Sequence, residues 1–144
     1  MGGREPVAYP LHAGCLCGAV RVTLRRLPLR VGLCHCMTCR KETGSPFKHF
    51  AVFRADDAQV SGETRAWAAP GGGAPRHFCP ACGSRLFTVE GDEFELNVGT
   101  LDEPGQLAPS YEGFAPRREP WLPDLGLVRY EGNRPAATAD TRSG

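Results

Sequence analysis

The chain has 144 residues, a length that suits a single domain and leaves little for a second one. Its 17 lysines and arginines nearly balance its 16 aspartates and glutamates, so the charge predicts no nucleic-acid partner, which would favour a basic surface. No apolar run approaches the ~20 residues that span a bilayer, and the N-terminus carries no apolar signal segment. We therefore expect a cytoplasmic protein with no membrane span.

Glycine and proline are both abundant, with 18 and 13 residues respectively. Helix interiors tolerate neither well, so the composition predicts short strands joined by tight turns. In chain order, residues 1–11 are expected to form a flexible lead-in, because chain termini fray unless they are tied down. Residues 14–18 follow as a turn, in which glycines flank Cys15 and Cys17 and let the backbone fold sharply.

Two strands and a helix are predicted next. Residues 20–25 alternate apolar and polar side chains, which is typical of a half-buried strand. Residues 29–33 begin a second strand that runs directly into Cys34. A short helix is predicted over residues 37–43 and ends at Gly44, because glycine readily adopts the left-handed conformation that follows many helices.

The middle of the chain predicts more strands. Residues 47–53 are rich in aromatic and apolar side chains and indicate a buried strand. Residues 59–62 and 64–67 predict a hairpin that turns at a Gly-Glu pair. Residues 85–89 and 93–98 predict a second hairpin, in which the apolar side chains of the second strand share one face.

The end of the chain gives weaker signals. A last short strand is predicted over residues 127–130, after a segment rich in proline and aromatic residues. Residues 131–144 are small and polar, which predicts a flexible C-terminal segment. Residues 12–130 are therefore expected to form the one folded domain.

Every cysteine belongs to one of three closely spaced groups. These are Cys15 with Cys17, then Cys34 with Cys36 and Cys39, then Cys79 with Cys82. Seven is an odd number and no export signal is visible, which disfavours a disulfide framework. Cysteines one or two residues apart present their sulfurs to one point, as a bound metal requires. The pattern therefore predicts zinc, with redox or disulfide chemistry as the less favoured interpretation.

Seven thiols divide naturally into four and three. The three central thiols can share one ion without distant loop closure, which leaves the first and third groups to build a closed four-thiol site. Such a site would join the N-terminal turn to the middle of the chain and contribute folding free energy. Spacing alone also permits Cys15 and Cys17 to share an ion with Cys34 and Cys36, while His77 or His35 fills the other site.

The central group permits more than one function. A zinc ion with three protein ligands keeps a position for water or substrate, which is the usual plan of a catalytic zinc. If His35 or another side chain closes the site, the group is instead a second structural zinc. The chain would then be a non-catalytic, zinc-stapled binding module. A thiol redox or metal-handling protein is a third interpretation of the same cysteines.

The cysteine motifs, together with two shorter stretches, resemble a known family. The motifs lie at residues 14–18, 34–41 with Gly44, 78–84 and 99–102, with Pro120 and Trp121 near the end. In this order and spacing they resemble the glutathione-dependent formaldehyde-activating enzyme family, and the resemblance covers roughly residues 12–130. Segment 110–114 departs from the family pattern, which has a histidine followed by apolar residues there.

The resemblance implies both a fold and two metal sites. The fold is mainly β, a zinc-containing β-tent of two small antiparallel sheets with one or two short helices. Two zinc ions per chain are implied. The structural zinc is held by Cys15, Cys17, Cys79 and Cys82. The catalytic zinc is held by Cys34, Cys36 and Cys39.

The activity that the resemblance implies is that of S-(hydroxymethyl)glutathione synthase, a carbon–sulfur lyase. We accordingly expect a zinc-held thiol, glutathione or a similar one, to add to formaldehyde or a related small electrophile. Arg40 and Lys41 lie beside the central cysteines and are candidate contacts for the carboxylates of such a substrate. The alternative for these two residues is a solvated helix face.

Overall fold

The computed structural model describes residues 7–136, 138 and 140. Residues 1–6 of the predicted lead-in, and residues 137, 139 and 141–144 of the predicted C-terminal segment, lie outside the described residues. The described chain is mainly β, with two sheets, one α-helix and three short 3-10 helices. The prediction of a mainly β fold of two sheets with few helices is therefore confirmed. None of the described helices combines the length and the apolar character needed to span a membrane.

The strands of the described chain are numbered here in chain order. They are β1 (Leu11–Gly14), β2 (Arg21–Leu24), β3 (Arg30–Cys34), β4 (Lys48–Arg54), β5 (Ala58–Ser61), β6 (Arg65–Trp67), β7 (Arg76–Phe78), β8 (Arg85–Glu90), β9 (Glu93–Asn97), β10 (Tyr111–Gly113) and β11 (Val128–Arg129). The helix α1 (Met37–Thr43) follows β3 at the predicted place. The sequence analysis did not identify β1, β7 or β10.

The two sheets differ in size. The smaller one has the order β1-β2-β5 and is antiparallel. The larger one has eight strands in the order β11-β10-β3-β4-β9-β8-β7-β6. It is antiparallel except at one edge, where β10 runs parallel to both β3 and β11. The larger sheet therefore differs from the prediction of two small antiparallel sheets, both in its number of strands and in its parallel edge. The reason is that β10 reaches β3 through a long crossover connection, which is the connection that parallel strands require.

One of the two predicted hairpins is confirmed and the other is wrong. β8 pairs with β9 as expected, but β5 pairs with β2 and β6 pairs with β7, in different sheets. The chain passes between the sheets at Gly62, whose φ is 93°. A Cβ at this position would lie 2.1 Å from the carbonyl oxygen of Ala19. The glycine that looks like a hairpin turn in sequence therefore serves a close backbone contact instead.

The core lies between the smaller sheet and one face of the larger sheet. Its buried cluster takes alternate residues from β1, β2, β4 and β9, as the pleat of a strand dictates. Its members include Val22 and Leu24 of β2, Ala51 and Phe53 of β4, and Phe94 and Leu96 of β9. Complete burial of a Leu or Phe side chain stabilises a fold by about 1.5–3 kcal/mol, so this shared core holds the two sheets together.

The opposite face of the larger sheet carries the alternate residues of the same strands. Gly32 of β3 lies beside Phe50 of β4 on one side and Tyr111 of β10 on the other. Two residues further along, Cys34 lies beside Lys48. Because paired residues of neighbouring strands point to the same face, all five side-chain positions belong to the face that looks away from the core.

A nearly buried network of charges lies on this second face. Lys48 Nζ is 2.9 Å from Glu95 Oε2 and 3.2 Å from Glu42 Oε1, and only 3% of the lysine side chain is exposed. Arg76 Nε donates to the same Glu42 oxygen at 2.9 Å. Burial alone would lower the pKa of Lys48, but the charges of Glu95 and Glu42 outweigh it and raise the pKa. The ammonium group is therefore retained as an ion beside Cys34.

Replacement of Lys48 by methionine is expected to lower the free energy of unfolding by about 3 kcal/mol, because the nearly buried Glu42 then keeps only Arg76 and Glu95 loses the Lys48 ammonium group. The matched control is Arg21→Met, which removes the exposed ion pair with Asp102 and should cost less than about 1 kcal/mol. Urea unfolding followed by circular dichroism measures both values. Equal losses in the two variants would contradict the buried network.

Gly32 leaves no room for a side chain. A Cβ there would lie 2.7 Å from Tyr111 Cζ and 2.9 Å from Phe50 Cζ, so two rings would have to move at once. We expect Gly32→Ala to destabilise the fold by about 1–3 kcal/mol through overpacking. Gly99→Ala is the control, since nothing lies within 4 Å of its Cβ position, and it should change stability by less than about 0.5 kcal/mol. Thermal unfolding of both variants tests this difference.

Candidate metal sites

Four cysteines from two distant turns meet at one point. Their sulfur atoms all lie within 4.8 Å of one another, and they are Cys15, Cys17, Cys79 and Cys82. The first two follow β1 of the smaller sheet, and the last two lie between β7 and β8 of the larger sheet. The backbone N–H of Leu16 also donates to Ser84 Oγ at 2.9 Å, which joins the two turns directly. This four-thiol group therefore links one sheet to the other.

Each turn of the four-thiol group directs hydrogen bonds at its sulfurs. The Val20 N–H donates to Cys15 Sγ at 3.2 Å. Ser84 donates to Cys82 Sγ through its hydroxyl at 3.2 Å and through its backbone, and these bonds lower the pKa of Cys82 to about 5. Since only a thiolate binds metal, donors that stabilise the thiolate favour metal binding. Four sulfur donors in a closed group suit a structural ion.

The three central thiols form a second group, and its members are contributed locally. Cys34 ends β3, Cys36 is the N-cap of α1, and Cys39 lies inside the helix. Their sulfurs lie within 4.8 Å of one another. The N-cap works through sulfur, because the Cys39 N–H donates to Cys36 Sγ at 3.3 Å. The helix ends at Gly44, whose φ of 72° and N–H bond to the Arg40 carbonyl close it.

Two thiols of this three-thiol group have pKa values shifted in opposite directions. A hydrogen bond from Cys39 lowers the pKa of Cys34 to about 6, against the opposing effect of burial. The pKa of Cys39 is raised, first because its proton is donated to Cys34 and second because it is buried. The lowered pKa of Cys34 favours its thiolate, which is the form that a metal ion takes up.

The three-thiol group borders open space. Cys34 lies at the wall of a cavity of about 370 Å³ on the second face of the larger sheet. Other residues at this wall include Arg30, Phe50, Glu90, Glu95, Tyr111 and Arg134. Among the described residues, no fourth cysteine, histidine or carboxylate joins the group. The arrangement therefore offers three protein ligands and room for a ligand from solution.

The two histidines considered as alternative ligands are engaged elsewhere. His35 is fully buried, and its Nε2 lies 2.7 Å from Glu112 Oε1. His77 shares a hydrogen bond of 2.9 Å with Thr64 Oγ1 and stacks on Phe87 at 4.7 Å between centroids. Neither belongs to a thiol group. The structure groups the sulfurs as four and three. It does not show the mixed grouping that the spacing also permitted.

Arg40 and Lys41, the predicted substrate contacts, lie apart from the wall of the cavity that Cys34 borders. Arg40 Nη1 is 2.7 Å from Glu119 Oε1, so its guanidinium already has a carboxylate partner. Lys41 is exposed and lines a separate groove beside Trp67 and Phe78. Their assignment to substrate binding stays a prediction.

Two buried charges near the three-thiol group were not identified from the sequence. Lys48 begins a strand of aromatic residues, and a charged residue in such a strand is a signal that its side chain has partners. Glu112 has no comparable signal, because its contact His35 is 77 residues away. Its carboxylate also accepts hydrogen bonds from Arg118 Nε at 2.9 Å and Arg129 Nε at 3.3 Å.

Comparison with known proteins gives the family of the chain. The family model described as "Glutathione-dependent formaldehyde-activating enzyme" matches residues 10–117. A search of the curated proteins found no match. Among solved structures, the fold is similar to the crystal structure of a Rhodobacter sphaeroides protein from structural genomics. The TM-score is 0.56 and the identity 23%, over 83% of this chain and 98% of that chain, which concerns the fold alone. Since the family match covers more than half of the chain, the protein belongs to the glutathione-dependent formaldehyde-activating enzyme family.

Proposed function

We propose that the protein is a zinc-dependent carbon–sulfur lyase. It joins a thiol, glutathione or a similar one, to formaldehyde or a related small electrophile. The observation that carries the proposal is the three-thiol group, which has no fourth ligand among the described residues and borders a cavity. A closed scaffold site would surround its ion with protein ligands, whereas a catalytic site keeps one position open. Family membership supports the same reaction class.

The donor sets support zinc as the metal. Thiolate ligands are soft and select zinc over magnesium or calcium, which prefer oxygen. In this proposal Cys15, Cys17, Cys79 and Cys82 hold a structural ion. Cys34, Cys36 and Cys39 hold a catalytic ion. A zinc ion at the second place would supply Lewis acidity, which stabilises a thiolate at neutral pH.

The overall reaction is an addition and needs no oxidant. The thiol sulfur forms a bond to the carbonyl carbon, the π bond of the carbonyl breaks, and the thiol proton ends on the resulting oxygen. The chain contributes mainly by holding the two reactants together in one orientation. Because this addition also proceeds without a protein, the rate must be measured against the uncatalysed background.

The cavity beside Cys34 carries both signs of charge. Arg30 and Arg134 supply positive charge, and Glu90, Glu93 and Glu95 supply negative charge. Arg30 Nη2 is 2.5 Å from Glu93 Oε1, so part of this charge is internally paired. Such a wall suits a ligand that carries carboxylates together with an ammonium group, as glutathione does. Substrate recognition by Arg40 and Lys41 is a further part of the proposal.

Metal content tests the two sites separately. We expect two zinc ions per chain in the natural protein and one in Cys36→Ser, which should remain folded because its helix is local. Cys79→Ser should also lose one ion and should unfold at lower temperature, since the four-thiol group joins the two sheets. Elemental mass spectrometry and calorimetry measure the two effects. Two tightly held ions in Cys36→Ser would exclude the three-thiol site.

Activity tests the reaction. With glutathione and ¹³C-formaldehyde, exchange NMR should show faster formation of S-hydroxymethylglutathione in the presence of the zinc-loaded protein than without it. Cys36→Ser should reduce the rate to the uncatalysed background, because the open site is lost. Met37→Ala alters the neighbouring exposed side chain and should keep the full rate. If the natural protein gives only the background rate while holding two zinc ions, it is a binding module and not a lyase.

A further inference from the structure

Glu112 is a carboxylate with no exposed surface, and it lies on the strand beside the one that delivers Cys34. All three residues of β10 are buried, and the parallel register places Glu112 next to Leu33 and Gly113 next to Cys34. The backbone N–H of His35 donates to the Gly113 carbonyl at 3.2 Å. β10 therefore runs beside β3 as far as Cys34, the first residue of the three-thiol group.

Three donors surround the Glu112 carboxylate. Oε1 lies 2.7 Å from His35 Nε2 and accepts a bond of 2.9 Å from Arg118 Nε, while Oε2 accepts from Arg129 Nε at 3.3 Å. Burial alone would raise the pKa of Glu112, but the hydrogen bonds from Arg118 and His35 outweigh it and lower the pKa. His35 Nε2 is thus within hydrogen-bond distance of this carboxylate.

His35 is the link between this carboxylate and the thiols. It is the single residue between Cys34 and Cys36, and it is fully buried against Phe47, with ring centroids 5.7 Å apart. Its backbone is bound by Gly113 and its ring by Glu112, so two consecutive residues of β10 fix it at both ends. Because α1 starts directly after Cys36, the position of His35 also sets the place of the helix.

We propose that Glu112 is a positioning residue that, through His35, holds Cys34 and Cys36 in the arrangement that receives one metal ion. The inference rests on the proposed function only in taking the three-thiol group as a metal site. Outer groups that orient the ligands of a metal typically change its affinity by about 10–100-fold when removed. Arg118 and Arg129 bring the segment after β10 into the same assembly, since both bind Glu112.

The test measures the affinity of each thiol group for Co²⁺, a spectroscopic probe, and for zinc by competition, in the full-length chain. The Cys36→Ser variant supplies the reference spectrum of the four-thiol group alone. Glu112→Gln should weaken binding at the three-thiol group by about 10–100-fold and alter its cobalt absorption bands. Affinity at the four-thiol group should stay unchanged in the same molecule, which separates positioning from general loss of stability.

Asp124→Asn is the matched control. Asp124 also binds Arg129, at 3.2 Å, but its side chain is 79% exposed and has no contact with His35 among those the structure describes. This variant should leave both cobalt affinities unchanged. If it weakened the three-thiol group as much as Glu112→Gln, the effect would belong to Arg129 or to the whole segment, and the proposal would be overturned.

A second variant covers the case in which Glu112→Gln does not fold. His35→Phe keeps a ring against Phe47 and leaves Glu112 paired with both arginines, while the link to the carboxylate is lost. It should weaken the three-thiol group to a similar degree. Where Glu112→Gln does fold, the losses should not add in the double variant, because both changes remove the same contact. Unchanged cobalt affinity and spectrum in His35→Phe would overturn the proposal.

The outcomes separate this inference from the proposed function. Two cobalt ions in the natural chain, with a selective loss in Glu112→Gln, support positioning whether or not the protein shows lyase activity. Two cobalt ions with equal affinities in the natural chain and Glu112→Gln overturn positioning and leave the lyase proposal standing. A parallel loss at both thiol groups means that Glu112 acts on stability alone, which also overturns positioning. Uptake of a single cobalt ion by the natural chain would overturn both proposals.

Discussion

The central strand β3 has one face in the core and one face on the cavity, and both the fold and the candidate site depend on this division. Val31 packs into the cluster shared with the smaller sheet, whereas Gly32 and Cys34 point to the other side. The pleat of a strand permits no other choice once the core face is set. The thiol that borders the cavity is therefore placed there by the same alternation that builds the core.

The two thiol groups use the chain differently. The three-thiol group closes within six residues, where the end of a strand and the first turn of a helix bring the sulfurs together. The four-thiol group closes over more than sixty residues, from Cys17 to Cys79, and it joins two sheets. A metal ion in the second kind of site stabilises the fold because the unfolded chain has no such site. A local site can instead leave one position for a substrate.

The larger sheet buries a charged side chain on each of its faces, Lys48 on the second face and Glu112 on the opposite one. Lys48 is paired with Glu42 and Glu95. Glu112 contacts His35, Arg118 and Arg129. Of these partners, Glu95 and His35 come from distant parts of the chain. Removal of charges from water is costly unless partners and hydrogen bonds compensate it. Such groups stabilise a fold poorly compared with apolar side chains, and both lie on strands that pair with β3, the strand that ends at Cys34.

Local patterns in the sequence were sufficient for several elements and for the thiol groups. Alternation predicted β2, and a glycine predicted the end of α1, because both signals depend only on neighbouring residues. The spacing of the cysteines favoured a division into four and three but also permitted a mixed one, and the structure brings the sulfurs together as four and three. The hairpin at Gly62 was wrong because a turn signal does not say which sheet receives the next strand.

Only the tertiary structure decided the parallel edge of the larger sheet, the cavity beside Cys34 and the burial of Glu112. Each depends on contacts between residues far apart in the chain, and no local periodicity encodes them. His35 and Glu112 show this most directly, because neither residue has a meaning for the site until β10 pairs with β3. The sequence by itself determined which residues can bind metal. The packing of distant strands determined which thiol group faces open space and what holds it in place.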